Sequence, residues 1–378
     1  MSTTHVFIVD TSTFKCHLEY MFTGTGAKNN VIDFNNSSNS KLHSTTENNL
    51  LGMIADSQRV RIGDFIIFYL QQNFQKGIYE GKFYGVFKVK EALSFLDNND
   101  GSQYLKEGLE KSLTFRTIIE PYQVYSKGVT EWEALDEIKN IHSPNQMLWS
   151  LIYRKLKGNR GNTMITIYES ERLIGLIRKK NRMEVLEGEN FTFEERTQEI
   201  KPIEVCFNYA GRKETINILP RLINKHDSGK QFETHLQAYL MQNIEKPFMF
   251  ADQNIEWIGN EVSCGVGMQR IDIMLSIAGK NRKVIPIELK SHEAYAEITI
   301  QLQRYIDWIE QYYIPNRYSD IEPMIISKEI PNKKSEEYLN LISAMNNFNN
   351  TNKILKLRYV EFSVCSDDKS IIFNEIKY

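Results

Sequence analysis

The sequence predicts an α/β protein of two domains, a β-rich domain followed by one in which helices flank a sheet. Three observations support this prediction. The chain has 378 residues, which is more than a single hydrophobic core usually holds. Short apolar runs bounded by turn residues dominate its first part. From about residue 228 the pattern becomes a helix, two strands and another helix.

Composition narrows the function classes. The chain is 41% hydrophobic and 25% charged with a formal net charge of -2, so binding to a polyanion has to come from a local patch. The four cysteines form no Cys-x-x-Cys pair, which argues against a zinc ribbon or a disulfide framework and suits a reducing compartment. The first residues do not resemble a signal peptide, and no apolar run is long enough to span a bilayer. We therefore expect a cytoplasmic protein without a membrane partner.

The first domain is expected to be built mainly from strands. Apolar runs predict strands at 5–9, within 59–70 after a turn at Gly63, at 83–89 and at 115–124. The Asn- and Ser-rich stretch 28–49 is interpreted as a surface loop.

Helices and a connector follow. Ser143 and Pro144 predict a helix start, with apolar residues at helical spacing from Met147 to Leu156. A second helix is expected at 169–180, and strand-like pieces at 203–207 and 215–218. The predicted division is residues 1–183, a connector at 184–220, and a second domain at 221–378.

The second domain contains acidic residues where strand interiors should be apolar. Asp272 lies in the strand RIDIML, and Glu288 and Lys290 lie in VIPIELK after the hairpin AGKNRK. Strand alternation places Glu288 and Lys290 on one face, and pairing of the strands brings Asp272 beside Glu288. Two buried carboxylates repel unless a cation joins them, and Mg²⁺ with oxygen ligands can do so. The alternative is a surface Glu–Lys ion pair, which suits an apolar strand poorly.

Flanking helices add three polar candidates. Glu233 lies in the amphipathic helix SGKQFETHLQAYLMQNI, where it can reach a metal ion or simply complement the helix dipole. Gln301 and Tyr305 are one turn apart in EAYAEITIQLQRYIDWIEQYY. They either belong to the site or form a satisfied pair in the core.

The ordered motifs ETHLQAYLMQNI, EVSCGVGMQRIDIML, VIPIELKSH and QLQRYIDWI resemble the PD-(D/E)xK nuclease fold, and within it the RecB-like group and the NucS-type nuclease domain. The resemblance covers roughly residues 228–315. It implies a restriction-endonuclease-like αβ core with a central mixed sheet. One departure is Gln269, where the NucS group tends to have glycine. The residue roles that the resemblance implies are metal ligation by Asp272, Glu288 and Glu233, catalysis by Lys290, and site shaping by Gln301 and Tyr305.

The same resemblance implies Mg²⁺ as cofactor, with Mn²⁺ as a substitute. Arg270 is a candidate phosphate contact, and the alternative is a solvated arginine at a strand end.

The first domain is expected to direct the nuclease. RIGDFIIFYL and FYGVFKV resemble EVE/PUA-like β-barrels, including those that read modified bases. A local basic patch suits phosphate contacts; its members are Arg154, Lys155, Lys157 and Arg160. A flipped base would need aromatic walls and polar edge readers; the candidates are Asp10, Thr11, Ser12, Tyr69 and Trp132.

Taken together, these patterns predict a Mg²⁺-dependent, site-specific DNA endonuclease of restriction or defence type. The expected partners are double-stranded DNA, a modified or flipped base, and a second copy of the chain. The apolar end of the last quoted helix, Trp308 to Tyr313, either forms the dimer contact or packs inside the monomer. One alternative is a NucS-like repair nuclease acting on mismatched, flapped or branched DNA. Another is a non-catalytic DNA-binding protein on a nuclease fold.

Overall fold

The chain forms two structural units, each built around its own main sheet. The computed structural model describes residues 2–26, 44–91, 94–135, 140–146, 161–245, 250, 253–265, 269–280, 282–313 and 316–378. The first unit comprises residues 1–32 and 52–216, and the second comprises 33–51 and 217–378. The predicted α/β class is confirmed. Among the described helices, none combines the length and apolar character needed to cross a membrane.

The first unit alternates strands with short helices. Its elements are β1 (Thr4–Val9), α1 (Thr11–Glu19), β2 (Phe22–Thr25), α2 (Ser44–Gln58, which begins in the second unit), β3 (Phe65–Leu70), β4 (Lys82–Val89), β5 (Phe95–Leu96), α3 (Lys106–Leu109), β6 (Phe115–Pro121), β7 (Val129–Thr130), α4 (Glu131–Leu135), β8 (Asn162–Ile165), α5 (Ile167–Lys180), β9 (Asn190–Glu194) and β10 (Glu199–Ile203).

The main sheet of this unit has the strand order β2–β6–β4–β3–β1–β8, with β5 beside β6 and β7 beside β4. It curls as a half-barrel. The pair β1 and β3 is parallel, and the other pairs are antiparallel. The described strands thus form a curled half-barrel sheet, which is consistent with the barrel-like first domain that the sequence predicted.

Both faces of this sheet are covered, which explains the continuous apolar run in β3. Ile66 and Phe68 pack in a cluster with Phe14 of α1 and Phe193 of β9. Ile67 and Tyr69, on the opposite face, pack with residues of α5. A strand that is buried on both faces has no reason to alternate apolar with polar residues.

Several predicted elements of the first unit differ in the structure. The predicted loop 28–49 becomes helical from Ser44, and its residues 28–43 lie outside the described part. The predicted helix at 147–156 also lies outside it. The helix predicted at 169–180 begins two residues earlier, because Thr166 accepts a hydrogen bond from the Glu169 amide and caps it.

The segment interpreted as a connector belongs in part to the first unit. The β9–β10 hairpin buries Phe191, Phe193 and Ile200 in the cluster formed with Phe14. Residues 204–218 contain no strand, in place of the two predicted pieces. The hairpin lies where it does because its apolar face needs a partner that a free linker would lack.

The second unit contains a six-stranded mixed sheet. Its elements are α6 (Leu219–Asp227), α7 (Glu233–Asn243), β11 (Ile255–Ser263), β12 (Arg270–Ile277), β13 (Lys283–Glu293), α8 (Ile298–Tyr312), β14 (Met324–Lys328), α9 (Glu336–Thr351), β15 (Arg358–Cys365) and β16 (Ser370–Ile376). Strands β11, β12 and β13 are antiparallel neighbours, β13, β14 and β15 are parallel neighbours, and β16 is antiparallel to β15.

Helices α7 and α8 both contact β13, the central strand. The helix predicted at 228–244 is shorter in the structure and spans Glu233–Asn243 as α7. The preceding helix α6 ends at Asp227, and Gly229, which adopts a left-handed conformation with φ of 63°, lies between the two helices. Helix α8 begins at Ile298 rather than at residue 293, because β13 extends to Glu293. The apolar end of α8 packs inside the unit: Ile309 and Tyr313 are fully buried, and the Tyr313 ring lies 5.6 Å from that of Trp257.

Candidate functional site

The β12–β13 pair brings Asp272 next to the Glu-x-Lys strand, as the alternation of side chains predicted. Their register includes the pair Ile273 and Ile287, so Asp272 and Glu288 are the next residues in line. The Asp272 Oδ2 atom accepts a hydrogen bond of 2.8 Å from the Leu289 amide. The Asp272 carboxylate, rather than a backbone carbonyl, is therefore the acceptor for the Leu289 amide. This hydrogen bond fixes the carboxylate to β13.

Glu288 is almost completely buried, with 1% of its surface exposed. Its Oε1 atom accepts a hydrogen bond from Lys290 Nζ in a close ion pair. Its Oε2 atom lies 2.6 Å from the Tyr305 hydroxyl. Both oxygens thus have partners, and neither partner is a second acid.

Burial changes the acidity of these groups. The pKa of Asp272 is raised well above its ordinary value by burial, and further by the charges of Glu288 and Glu233. Burial also raises the pKa of Glu288, although Lys290 and Tyr305 oppose the shift. Burial alone would lower the pKa of Lys290, but the attraction of Glu288 outweighs it and the pKa is raised. The site therefore contains more carboxyl groups than its single lysine can compensate, and ionisation of Asp272 and Glu288 is disfavoured there.

Glu233, the first residue of α7, reaches the same strand. Its Oε2 atom accepts a hydrogen bond of 3.3 Å from the Ser291 amide. Its charge contributes to the raised pKa values of both Asp272 and Glu288. Glu233 thus connects α7 to the strands that carry Asp272 and Glu288. The sequence motifs predicted this position for the acid of the helix.

Tyr305 connects α8 to both acidic strands. Its hydroxyl lies 2.6 Å from Glu288 Oε2 and 2.8 Å from the Arg270 carbonyl oxygen, and it accepts a hydrogen bond of 2.6 Å from Gln301 Nε2. One hydroxyl proton serves only one of the two acceptors when Glu288 is ionised. Protonated Glu288 can donate to Tyr305 while Tyr305 donates to the carbonyl, which agrees with the raised pKa of Glu288.

The Arg270 side chain points to a different partner. It forms an ion pair with Glu261 of β11 at 2.5 Å. Arg270 thus belongs to a strand-to-strand contact in this structure, and a phosphate would have to compete with Glu261 for it.

The carboxylates suit a hard divalent cation in chemistry, yet they are not gathered around one point. In the described ranges, no three His, Cys, Asp or Glu side chains lie close enough together to hold a metal ion. Asp272 and Glu233 each use one oxygen to accept an amide, and Glu288 uses both of its oxygens. Three carboxylates are the oxygen donors that Mg²⁺ prefers, so the donor set fits. Binding would require Glu288 to exchange a present partner for the cation.

Two residues of this site were not among the sequence candidates. Gln237 of α7 donates a hydrogen bond of 2.7 Å from Nε2 to the Asp272 carbonyl oxygen. Cys264 is buried, and burial followed by the charges of Glu288 and Asp272 raises its pKa to about 12. A glutamine on the apolar side of a helix is the signal that could have pointed to Gln237. Cys264 gives no comparable signal, because its proximity to the two acids depends on how β11 pairs with β12.

The polar residues among the proposed base readers of the first unit have local partners in the structure. Asp10 caps α1 by accepting a hydrogen bond of 2.9 Å from the Thr13 amide. Lys76 Nζ contacts the hydroxyls of Thr11 and Ser12. The contacts of these three residues are those expected at the start of a helix and in the loop beside it.

The two aromatic candidates lie in β3 and α4. Tyr69 is buried in β3 and donates a hydrogen bond of 2.6 Å to Glu131. Trp132 of α4 is 63% exposed. Tyr69 is therefore part of the core, and only Trp132 offers an accessible ring. The basic residues Arg154, Lys155, Lys157 and Arg160 lie outside the described residues.

Comparison with known proteins gives little. No family model matches the chain, and no curated protein matches it significantly. Among solved structures, human THYN1 protein in complex with 5-methylcytosine-containing DNA is similar to part of the chain. The sequence identity is 10%, the alignment covers 46% of this chain and 97% of that one, and the TM-score is 0.28. At this TM-score, neither a shared fold nor a shared ligand follows.

Proposed function

We propose that the second unit is a Mg²⁺-dependent phosphodiesterase on a restriction-endonuclease-like core, and that the protein is a site-specific DNA endonuclease of restriction or defence type. The observation that carries this proposal is the meeting of Asp272, Glu288 and Lys290 on adjacent strands with raised carboxyl pKa values. Such a cluster costs stability unless a further cation joins it.

The roles follow from charge and position. Asp272, Glu288 and Glu233 would hold the cation, which lowers the pKa of bound water and offsets charge on the phosphoryl oxygens. Lys290, which now bonds to Glu288, would be released toward the attacking water or the developing negative charge. Tyr305 and Gln301 would keep the Glu288 carboxylate in place from the side of α8.

Targeting is assigned to the first unit. The side chains at the carboxylate site are ionic or simple hydrogen-bonding groups, which suit phosphates more than base edges. A site-specific enzyme therefore needs another reader, and the first unit is the other of the two units in the part of the chain that the structure describes. The exposed ring of Trp132 is its most accessible aromatic candidate among the residues predicted to read a base.

The test is incubation of the full chain with Mg²⁺ or Mn²⁺ and with plasmid, phage and modified DNA. Parallel reactions with mismatched, flapped and branched duplexes separate a repair nuclease from a restriction enzyme. Asp272→Asn and Glu288→Gln should abolish cleavage with the circular dichroism spectrum unchanged. Lys290→Met should lower the rate by orders of magnitude. Glu329→Gln, at an exposed acid, is the matched control and should cut at the wild-type rate.

One observation favours a second candidate, a non-catalytic DNA-binding protein. Both oxygens of Glu288 already have partners in Lys290 and Tyr305, so the acid is satisfied without a metal ion. That candidate requires DNA binding that is independent of divalent cations, with no cleavage of any substrate. Cleavage that Asp272→Asn abolishes would exclude it.

A further inference from the structure

A cationic cleft lies beside the carboxylate site in the second unit. Its volume is about 390 Å³, and its lining includes His226, Lys230, Phe232, Ser291, His292 and Lys328. Phe232 directly precedes Glu233, and the Ser291 amide donates to Glu233. The cleft and the carboxylate site therefore share a wall.

The charge of the cleft is positive in a chain of net charge -2. Lys230 and Lys328 are exposed, and within the described part of the chain neither Nζ atom has a hydrogen-bond or ion-pair partner. Glu293 is the single acid among the described lining residues. The two free ammonium groups can bind an anion in the cleft. The neighbouring carboxylates would repel the same anion, so the lysines are needed to hold it there.

Local structure fixes the backbone of both lysines. The Lys230 amide donates to the Lys225 carbonyl at 3.0 Å, and the Gly229 amide donates to the His226 carbonyl at 3.0 Å. This pattern is a Schellman motif, for which Gly229 supplies the left-handed residue. Lys328 ends β14 and pairs with Glu293 in the sheet register. The two lysines thus stand on the end of a helix and the end of a strand rather than on a loose loop.

The lining also selects the kind of ligand. Pockets for small organic ligands are mostly apolar, whereas Phe232 is the one large apolar side chain among the described lining residues. The His292 ring is held in place, because its Nδ1 lies 2.8 Å from the Glu293 carbonyl oxygen and the ring stacks on Tyr295. Ammonium groups in an open polar cleft suit a sugar–phosphate backbone.

We propose that this cleft binds a backbone phosphate of the cleaved DNA strand, next to the phosphate that is hydrolysed, through Lys230 and Lys328. This inference rests on the proposed nuclease function and adds the direction in which the strand leaves the site. The strand passes from the Asp272–Glu288 carboxylates over Ser291 toward the ends of α6 and β14.

Binding is measured first, without cleavage. Lys230→Ala, Lys328→Ala and the double variant are made in the Asp272→Asn protein, and affinity for a fluorescein-labelled duplex is followed by anisotropy between about 50 and 200 mM salt. Each lysine that contacts a phosphate should lower the slope of log K against log salt by about 1. The double variant should bind at least about tenfold more weakly at the lower salt concentration. Lys353→Ala, at an exposed lysine just after α9, is the control and should bind unchanged.

Hydrolysis is measured second, with Asp272 intact. Bis(4-nitrophenyl) phosphate carries no neighbouring phosphate, so the double variant should hydrolyse it at the wild-type rate while losing at least about tenfold in DNA cleavage at limiting DNA. If the wild-type protein hydrolyses neither substrate, the nuclease function is refuted. The anisotropy measurement still shows whether Lys230 and Lys328 bind DNA phosphates. A salt slope and an affinity equal to those of the Lys353→Ala control overturn the cleft assignment.

Discussion

Asp272 and Glu288 place negative charge in a buried part of the second unit, where its desolvation is only partly offset by Lys290. Charges at functional sites are commonly retained at the expense of stability. The cost should be measurable, because one carboxyl can be replaced by an amide of the same shape.

We expect Asp272→Asn to raise the free energy of unfolding in EDTA at neutral pH. The amide oxygen of the new side chain can still accept the Leu289 amide, while the repulsion with Glu288 disappears. Each unit of raised pKa corresponds to about 1.4 kcal/mol. A carboxyl with a raised folded-state pKa costs nothing at low pH and destabilises as pH rises from 3.8 through that pKa. The gain should therefore vanish in acid; a variant less stable than wild type at neutral pH would contradict it.

A second residue-scale prediction concerns His17 of α1 in the first unit. Burial lowers the pKa of His17 to about 3, with Arg116 adding to the shift, and the ring lies between Phe22 and Phe68. The unfolded chain takes up this proton below pH 6.5, so the native state loses up to about 1.4 kcal/mol per pH unit from there down to about pH 3.

His17→Gln should remove this dependence, although it lowers the stability at pH 7. Urea unfolding of both proteins at several pH values measures the difference between them. A difference that stays constant from pH 7 to acid would show that His17 is not held neutral.

At the scale of elements, the β9–β10 hairpin shows how a charged segment becomes part of a core. Its Phe191, Phe193 and Ile200 face the aromatic cluster around Phe14 and Tyr84. The intervening residues are polar, and for this reason the segment resembled a connector in the sequence.

A fragment of residues 1–216 should therefore be more stable than a fragment of residues 1–183. Each buried Phe or Ile side chain contributes about 1.5–3 kcal/mol, and the shorter fragment lacks three of them. Thermal unfolding and dye binding to exposed apolar surface compare the two. Equal melting temperatures would mean that the hairpin contributes no stability to the first unit. If the longer fragment is the more stable one, it is also the one to test for DNA binding.

At the scale of the whole molecule, one chain offers one Asp272–Glu288–Lys290 set. A single set attacks one phosphodiester at a time, so a double-strand break by the proposed enzyme calls for two copies or two successive events. Twofold association is the common solution in soluble assemblies. The apolar end of α8 is buried in its own unit, so the contact between copies has to come from another surface.

We expect two chains for each duplex that is cut on both strands. Sedimentation of Asp272→Asn protein with its DNA in Ca²⁺ measures the ratio without cleavage. A strictly one-to-one complex whose wild-type counterpart still makes double-strand breaks would refute the dimer. A one-to-one complex that only nicks would favour the repair nuclease.

The sequence by itself determined the local features of this protein. Alternation placed Glu288 and Lys290 on one face of a strand, and the short hairpin brought Asp272 against it. The start of α5 was predicted to within two residues. These features depend on backbone periodicity and on contacts between near neighbours, and the local sequence specifies both.

Tertiary structure decided the rest. Three features join residues that are far apart in the chain: the curled sheet of the first unit, the burial of the β9–β10 hairpin, and the cleft between α6 and β14. Tyr305 illustrates the reason: its helical spacing from Gln301 was readable, but its bond to Glu288 depends on how α8 packs on β13. Such packing is set by which apolar faces cover one another, and many pairings satisfy the same sequence pattern until the whole core is formed.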